Sequence, residues 1–328
     1  MQIASTGYEM ANIEVLTILN GKLRAVIAPS LGATLLAFQR ITEVTAVDIF
    51  LNAERNYAKG RRGYMAMLPW TARMRNKSFP WDSTAGNFPK DAADPSKQFQ
   101  VKADWSPHAI HGYGPKLPWK KAKQSENSIE LCLDSREHSF IFPSDCLMKI
   151  VYTLEEETLK VYSSVENVGE MAMPVGGGSH PFIPKYVQGC IALPKLQFSA
   201  VRWYIPREDE PKEAMSAGPT ESLPSGLNFK ELRTPEEGWD VTMAGWNGVA
   251  TALWEDAGIQ LEVRDLSLSP TNLLHLWFAK EKGVWAFEPL VNLGDGFNIE
   301  SRGFSSGTRI LAPGEVSEFS HSFTARVI

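Results

Sequence analysis

Cysteine is scarce in this chain: Cys132, Cys146 and Cys190 are the only three in 328 residues. Their number is odd and none is spaced as CxxC, so neither a disulfide framework nor a zinc knuckle is expected, and a reducing compartment fits better. Positive charge is not in excess either. Thirty-three Lys and Arg against 38 Asp and Glu leave a net charge of −5, which gives no reason to expect a nucleic-acid partner or an anionic membrane surface. No apolar run approaches the roughly 18 residues that cross a bilayer. No basic segment followed by an apolar stretch opens the chain, so no signal peptide is expected. Long amphipathic helical patterns are missing as well, apart from a weak candidate near Asp48–Lys59. These absences lead to the expectation of a soluble, cytoplasmic protein that is not built from helices.

What is present is strand and turn chemistry. Residues 13–19 and 22–28 flank Asn20-Gly21, the strongest short hairpin signal. Further strand-like runs cover residues 32–39, 128–133, 148–154 and 159–165, the last two joined across the acidic turn Glu155–Glu157. Residues 248–254 and 259–264 read as another hairpin, and 308–311 and 319–327 bracket Ala312-Pro313-Gly314-Glu315. Short β-rich runs with recurrent turn signals indicate an all-β sandwich. A hydrophobic content of 43 %, with ten Trp and sixteen Phe, is ample for a large core. Residues 76–107 and 206–237 read as long loops, but similar hairpin patterning resumes after each. The chain is therefore expected to form one domain over residues 1–328.

Five segments hold residues that could do chemistry. Met173 to Phe182 places three glycines before Ser179-His180-Pro181. Glycines allow positive φ or close approach to a ligand, and the following proline biases His180 toward extended backbone. A histidine beside bare backbone suits proton transfer near neutral pH; the plainer alternative is a glycine-rich turn beside a packed imidazole. Arg73 and Arg75, two apart on what reads as extended backbone, should point the same way and could bind ligand oxygens, or could simply be solvated. His108 and His111 lie on a segment that Gly112, Gly114, Pro115 and Pro118 keep from being helical. An HxxH pair invites a metal reading, yet no third ligand or helical frame accompanies it. Asp240 follows a turn and could be turn chemistry alone. Glu288 interrupts the apolar run Val284–Leu290. A carboxylate there is costly unless paired or working, and such surroundings raise its pKa toward the range of a general base.

Taken in order, these segments resemble the aldose 1-epimerase (galactose mutarotase-like) family along nearly the whole chain. The family's Asn-Arg is matched at Ala72-Arg73, with Ala72 in place of the asparagine. Its His-Gly before a Pro-Trp is matched by His111-Gly112 and Pro118-Trp119, and its Gly-x-Gly-x-His-Pro by Gly176 to Pro181. Leu223-Pro224-Ser225-Gly226, Asp240, Glu288-Pro289 and Phe297-Asn298 complete the set.

The resemblance implies a large antiparallel β-sandwich, the galactose mutarotase-like supersandwich, with a sugar cleft on one face. It implies interconversion of the α and β anomers of a hexose, with a small-molecule sugar as partner and no metal or redox cofactor. Glu288 would act as base and His180, as an imidazolium, as acid, while Arg73, His111 and Asp240 would hold the hydroxyls. Two rivals stay open: a mutarotase for a charged sugar, with Arg62, Arg75, Lys77, Arg202 and Arg302 as candidate anion contacts, and a non-catalytic carbohydrate-binding module on the same fold. A hydrolase would need two carboxylates flanking the bond, and only Glu288 is a firm candidate.

Overall fold

The structure is a computed structural model, and it describes residues 13–54, 62–89, 91, 93–102, 107–139, 141–187, 190–204, 220–267, 272–280 and 282–328. Two large antiparallel sheets face one another across the main core. The hairpins read from turn chemistry form where the sequence places them. Leu16–Leu19 pairs with Leu23–Ala28 across Asn20-Gly21, with Gly21 at φ 83° and the Asn20 side chain accepting from Leu23 N at 2.9 Å. Cys146–Glu155 pairs with Thr158–Asn167, and Val249–Trp254 with Ile259–Asp265.

The eight-stranded sheet runs in the order Lys120–Gln124, Ser128–Asp134, Cys146–Glu155, Thr158–Asn167, Val316–Val327, Ile259–Asp265, Val249–Trp254, Lys195–Phe198. Its strands alternate buried and accessible positions, as in Ser128–Asp134 and Cys146–Glu155, because one face packs on the core and the other meets water. The eleven-stranded sheet is buried more deeply. Every residue of Tyr64–Met67 and Val284–Leu290 is buried, since loops cover its outer face. Rings fill the space between the sheets: Phe323 packs edge-on against Phe50 and Tyr64, with centroids at 5.1 and 5.8 Å. A polar thread crosses the same space, from the Tyr64 hydroxyl to Ser179 Oγ to His321 Nδ1, each step 2.7 Å.

The middle of the eleven-stranded sheet reads Tyr64–Met67, Gly178–Pro184, Val284–Leu290, Leu273–Trp277, Asp240–Ala244. Strands far apart in the chain become neighbours here, which no local turn signal could announce. Two expectations need correction. Residues 49–54 carry no helix, and the rest of the Asp48–Lys59 helix candidate lies outside the described residues. Residues 76–107 are more than loop: Ser78–Pro80 pairs with Gln98–Gln100 over an aromatic cluster of Trp70, Phe79, Trp81 and Phe297. The runs near residues 308–311 and 319–327 flank the turn Ala312–Glu315 as read, Glu315 N donating to Ala312 O at 3.0 Å, and they lie in different sheets, Arg309–Leu311 pairing with Met173–Val175.

Candidate active site

Strand alternation decides which side chains meet. On Gly178–Pro184, Val284–Leu290, Leu273–Trp277 and Asp240–Ala244, one set of residues faces the core: Ile183, Trp285, Phe287, Leu274, Leu276, Val241 and Met243. The alternate set therefore faces the outside of the sheet. Register then lines it up in two rows. Met65 lies opposite His180, Glu288 opposite His275, and His275 opposite Thr242. The pairs Gly178↔Leu290 and Phe182↔Ala286 put His180 opposite Glu288 and close the first row. Two residues along the strands, Phe182, Ala286, Trp277 and Asp240 form the second. Together these rows floor a cleft of about 500 Å³, a size typical of small-ligand sites.

Loops supply one wall. Arg73 pairs with Ile110 in a two-residue ladder, and the next residue, His111, turns at φ 59° with its amide donating to Ala72 O at 2.7 Å. The ladder is pinned from behind by buried Asp295. Its amide donates to Arg73 O at 2.7 Å, and its Oδ1 accepts from Arg75 N and Asn298 Nδ2 at 2.9 and 2.7 Å. Arg73 lines the cleft, whereas Arg75 leaves the strand for a turn and reaches Asp295, Nε to Oδ2 3.5 Å. The two arginines thus do different work, contrary to the expectation that they point the same way.

The five residues to which the resemblance gave roles, Arg73, His111, His180, Asp240 and Glu288, all line this cleft. His180 Nε2 stands 3.3 Å from Glu288 Oε1. The His180 ring stacks on Phe182 at 4.2 Å between centroids, and His111 meets its edge at 5.2 Å. Burial dominates the electrostatics. It pushes the Glu288 carboxyl up to about 7 and the His180 imidazole down to about 3, because both charged forms lose water. Burial therefore favours a neutral imidazole, whereas the resemblance implied an imidazolium. His108, the other member of the HxxH pair, stands apart, its Nδ1 accepting from Asn76 N at 3.1 Å.

His275 is the functional side chain that sequence reasoning missed. It is 5 % exposed, with Nε2 3.1 Å from Asp240 Oδ1 and Nδ1 3.0 Å from Thr242 Oγ1. Burial disfavours its charge, but the Glu288 carboxylate and the Asp240 hydrogen bond outweigh that, so its pKa rises. Asp240 responds in the opposite sense: burial raises its pKa, the His275 hydrogen bond and charge lower it, and the net direction is down. The signal was available, since His275 interrupts Leu273-Leu274-His275-Leu276-Trp277 just as Glu288 interrupts its own apolar strand.

The three glycines before His180 serve packing, not a ligand. None of them has a positive φ. A Cβ on Gly176 would lie 2.0 Å from Asn292 Oδ1, and one on Gly177 would lie 2.4 Å from Phe319 Cζ. Bare backbone lets this strand pass between the Asn292 loop and the second sheet, and so sets the height of His180.

Comparison with known proteins accords with this arrangement. Residues 14–324 match the family model described as aldose 1-epimerase. An uncharacterized protein of Escherichia coli K12, YphB, is 25 % identical over 185 residues, and the chain spans a little over half of that relative's length, 56 % of each being covered. Among solved structures, the GalM/aldose epimerase homologue from C. elegans shares 16 % identity, with a TM-score of 0.76 over 96 % of this chain and 99 % of that one. A galactose mutarotase-like protein from Lactobacillus casei shares 17 %, with a TM-score of 0.72 over 95 % and 100 %. Identities this low speak for the fold alone, but the family model spans nearly the whole sequence. The chain belongs to the aldose 1-epimerase family.

Proposed function

We propose that the protein is a mutarotase that opens and recloses the hemiacetal ring of an aldose. The observation that carries this reading is the contact of His180 Nε2 with Glu288 Oε1, 3.3 Å apart in a ligand-sized cleft. Ring opening moves two protons. A base takes the proton of the C1 hydroxyl, the C1–O5 bond breaks with its electron pair going to O5, and an acid protonates O5. The aldehyde then rotates about C1–C2 and recloses by the same steps in reverse.

The pair needs one proton between its two members. With Glu288 as carboxylate and His180 as imidazolium, ring opening leaves Glu288 protonated and His180 neutral. That product distribution is the one burial favours, and it supplies the acid and base for reclosure. One distribution thus opens the ring and becomes the other, which closes it. Coupled groups of this kind titrate as a unit, and positioned acid–base transfer is worth ~10²–10⁴-fold per group.

The remaining residues orient the ring. Arg73 and His111 act from the loop wall and Asp240 from the rim, where His275 holds one of its oxygens and leaves the other for a hydroxyl. The half-buried Trp277 offers a flat surface for the apolar face of a sugar. One domain carries all of these groups, and its free thiols suit a cytoplasmic enzyme. A binding module would have no use for a matched carboxylate–imidazole pair at the bottom of its cleft.

The test is polarimetry on pure α- and β-anomers of glucose and galactose. The native protein is expected to accelerate equilibration of at least one sugar above the solvent rate. Glu288→Gln and His180→Asn should each remove most of that acceleration while circular dichroism stays unchanged; a Glu288→Gln protein with the native rate would exclude Glu288 as the base.

A further inference from the structure

The wall that carries Arg73 and His111 is built from backbone that side chains rarely choose. Five of the eight non-glycine residues with positive φ among the described residues gather on it or just behind it: Ala72, Asn76, Lys77, His111 and Asp295, with φ between 46° and 59°. Asn and Asp take that region readily, whereas Ala, Lys and His do so at a cost. Strained backbone persists only where its surroundings over-determine it. Something outside the wall must therefore fix it.

The stretch of chain that follows Glu288 supplies the hold. Val291 N donates to Gly177 O at 2.9 Å and Asn292 Oδ1 accepts from Gly177 N at 3.1 Å, which ties the stretch to the strand of His180. Thr71 Oγ1 donates to Asn292 O at 2.9 Å, which ties it to the base of the wall. Asp295 then grips the wall itself, at Arg73 O through its amide and at Arg75 N through Oδ1. Asn298 Nδ2 donates to the same Oδ1 at 2.7 Å and to Ser78 O at 2.9 Å, so the far end of the turn is held as well. One short stretch thus sets the heights of Glu288, His180 and Arg73 together.

An aspartate meets two demands at this point. Its φ of 56° lies where Asp, Asn and Gly are tolerated best, and its side chain must accept two hydrogen bonds while 3 % exposed. Burial raises its pKa to about 6, although the hydrogen bonds from Arg75 N and Asn298 and the charges of Arg75 and Arg302 pull the other way. The carboxylate is therefore kept at a cost. Asp295 does not line the cleft, so contact with a ligand does not explain that cost. The wall it grips does line the cleft.

We propose that Asp295 is a positioning residue for the sugar, acting through the Arg73–His111 wall and touching no substrate itself. The inference rests on the mutarotase reading for the identity of the ligand, and goes beyond it in naming what presets the wall. A preset wall loses little binding energy to the ordering of its loop. Loosening it should weaken binding more than it slows proton transfer at His180 and Glu288.

Three variants at this position separate backbone from side chain. Asp295→Asn keeps the tolerated φ and an oxygen that accepts both bonds, Asp295→Gly keeps the φ alone, and Asp295→Ala keeps neither. KM and kcat for anomer exchange of glucose and galactose are measured well below each melting temperature. Asp295→Gly should raise KM roughly tenfold with kcat within about threefold of native, and Asp295→Ala should raise it at least as much. Asp295→Asn should restore KM to within about threefold of native. If Asp295→Gly and Asp295→Ala do not fold, Asn298→Ala, which removes the amide between Asp295 and Ser78, should raise KM in the same way. A residue that only supports the fold would lower the melting temperature and leave KM unchanged. That result, or an Asp295→Asn protein as impaired as Asp295→Gly, overturns the proposal. Calorimetric titration with the same sugars separates it from the mutarotase reading. Native binding without exchange, weakened in Asp295→Gly and kept in Asp295→Asn, would keep the positioning role and end that reading. Exchange with an unchanged KM in both Asp295→Gly and Asn298→Ala would do the reverse.

Discussion

Glu288 holds its proton to about pH 7 in the folded chain against an ordinary 4.5, because burial strips water from the carboxylate. Between those values the folded state binds more protons than the unfolded one, so this residue makes stability fall as pH rises through the window. A raised pKa of this size corresponds to a cost on the order of 1–3 kcal/mol above pH 7. Glu288→Gln should therefore raise the melting temperature at pH 8 while leaving it nearly unchanged at pH 4; calorimetry that found a loss at pH 8 would contradict the burial argument. The same proton governs activity. Above about pH 7 the Glu288–His180 pair loses its last proton and with it the acid, so kcat/KM for anomer exchange should decline. The His275 cation favours the Glu288 carboxylate, and His275→Gln should therefore shift this alkaline limb to higher pH. A limb that stays in place would leave His275 with a structural role only. At this scale Glu288 was legible because a lone carboxylate in an apolar strand has few comfortable explanations. A histidine can pack neutral, so His275 raised no comparable tension.

At the scale of elements, the strand Gly178–Pro184 explains why the motif is rich in glycine. Sequence suggested positive φ or contact with a ligand, but both depend on what lies across from the backbone, and a sequence does not contain that. The neighbours are Asn292 and the Phe319 ring, the latter from the opposite sheet. Gly177→Ala should force that ring aside and cost about 1–3 kcal/mol, read from urea denaturation. A loss below about 0.5 kcal/mol would show that the core yields easily and that the glycine is not needed for packing. Arg73 and Arg75 teach a related lesson. Two-residue alternation assumes a continuing strand, but Arg75 opens a turn tied to Asp295, a residue 220 positions away. Hairpins, in contrast, were legible because Asn20-Gly21 and Glu155–Glu157 act on their own neighbours.

For the molecule as a whole, the β-sandwich was legible in composition and turn spacing, and the strand order was not. Tyr64–Met67, Gly178–Pro184 and Val284–Leu290 lie side by side, although long stretches of chain separate each from the next. No local signal encodes such pairing; it follows from two sheets having to cover each other's apolar faces. The ordered motifs of a family carried that information instead. The consequence is a single sheet face on which His180, Glu288, His275 and Asp240 fall into register.

The central claim is that His180 and Glu288 act as one proton-transfer unit across one sugar ring. A double-mutant cycle on anomer exchange tests it most directly, comparing kcat/KM of the native protein, Glu288→Gln, His180→Asn and the double variant with the best substrate found. Groups that act as a unit are strongly non-additive. Each single variant should lose ~10²–10⁴-fold, and the double variant should be little slower than the worse single one. Losses that multiply, or a single variant that keeps the native rate, would contradict the account.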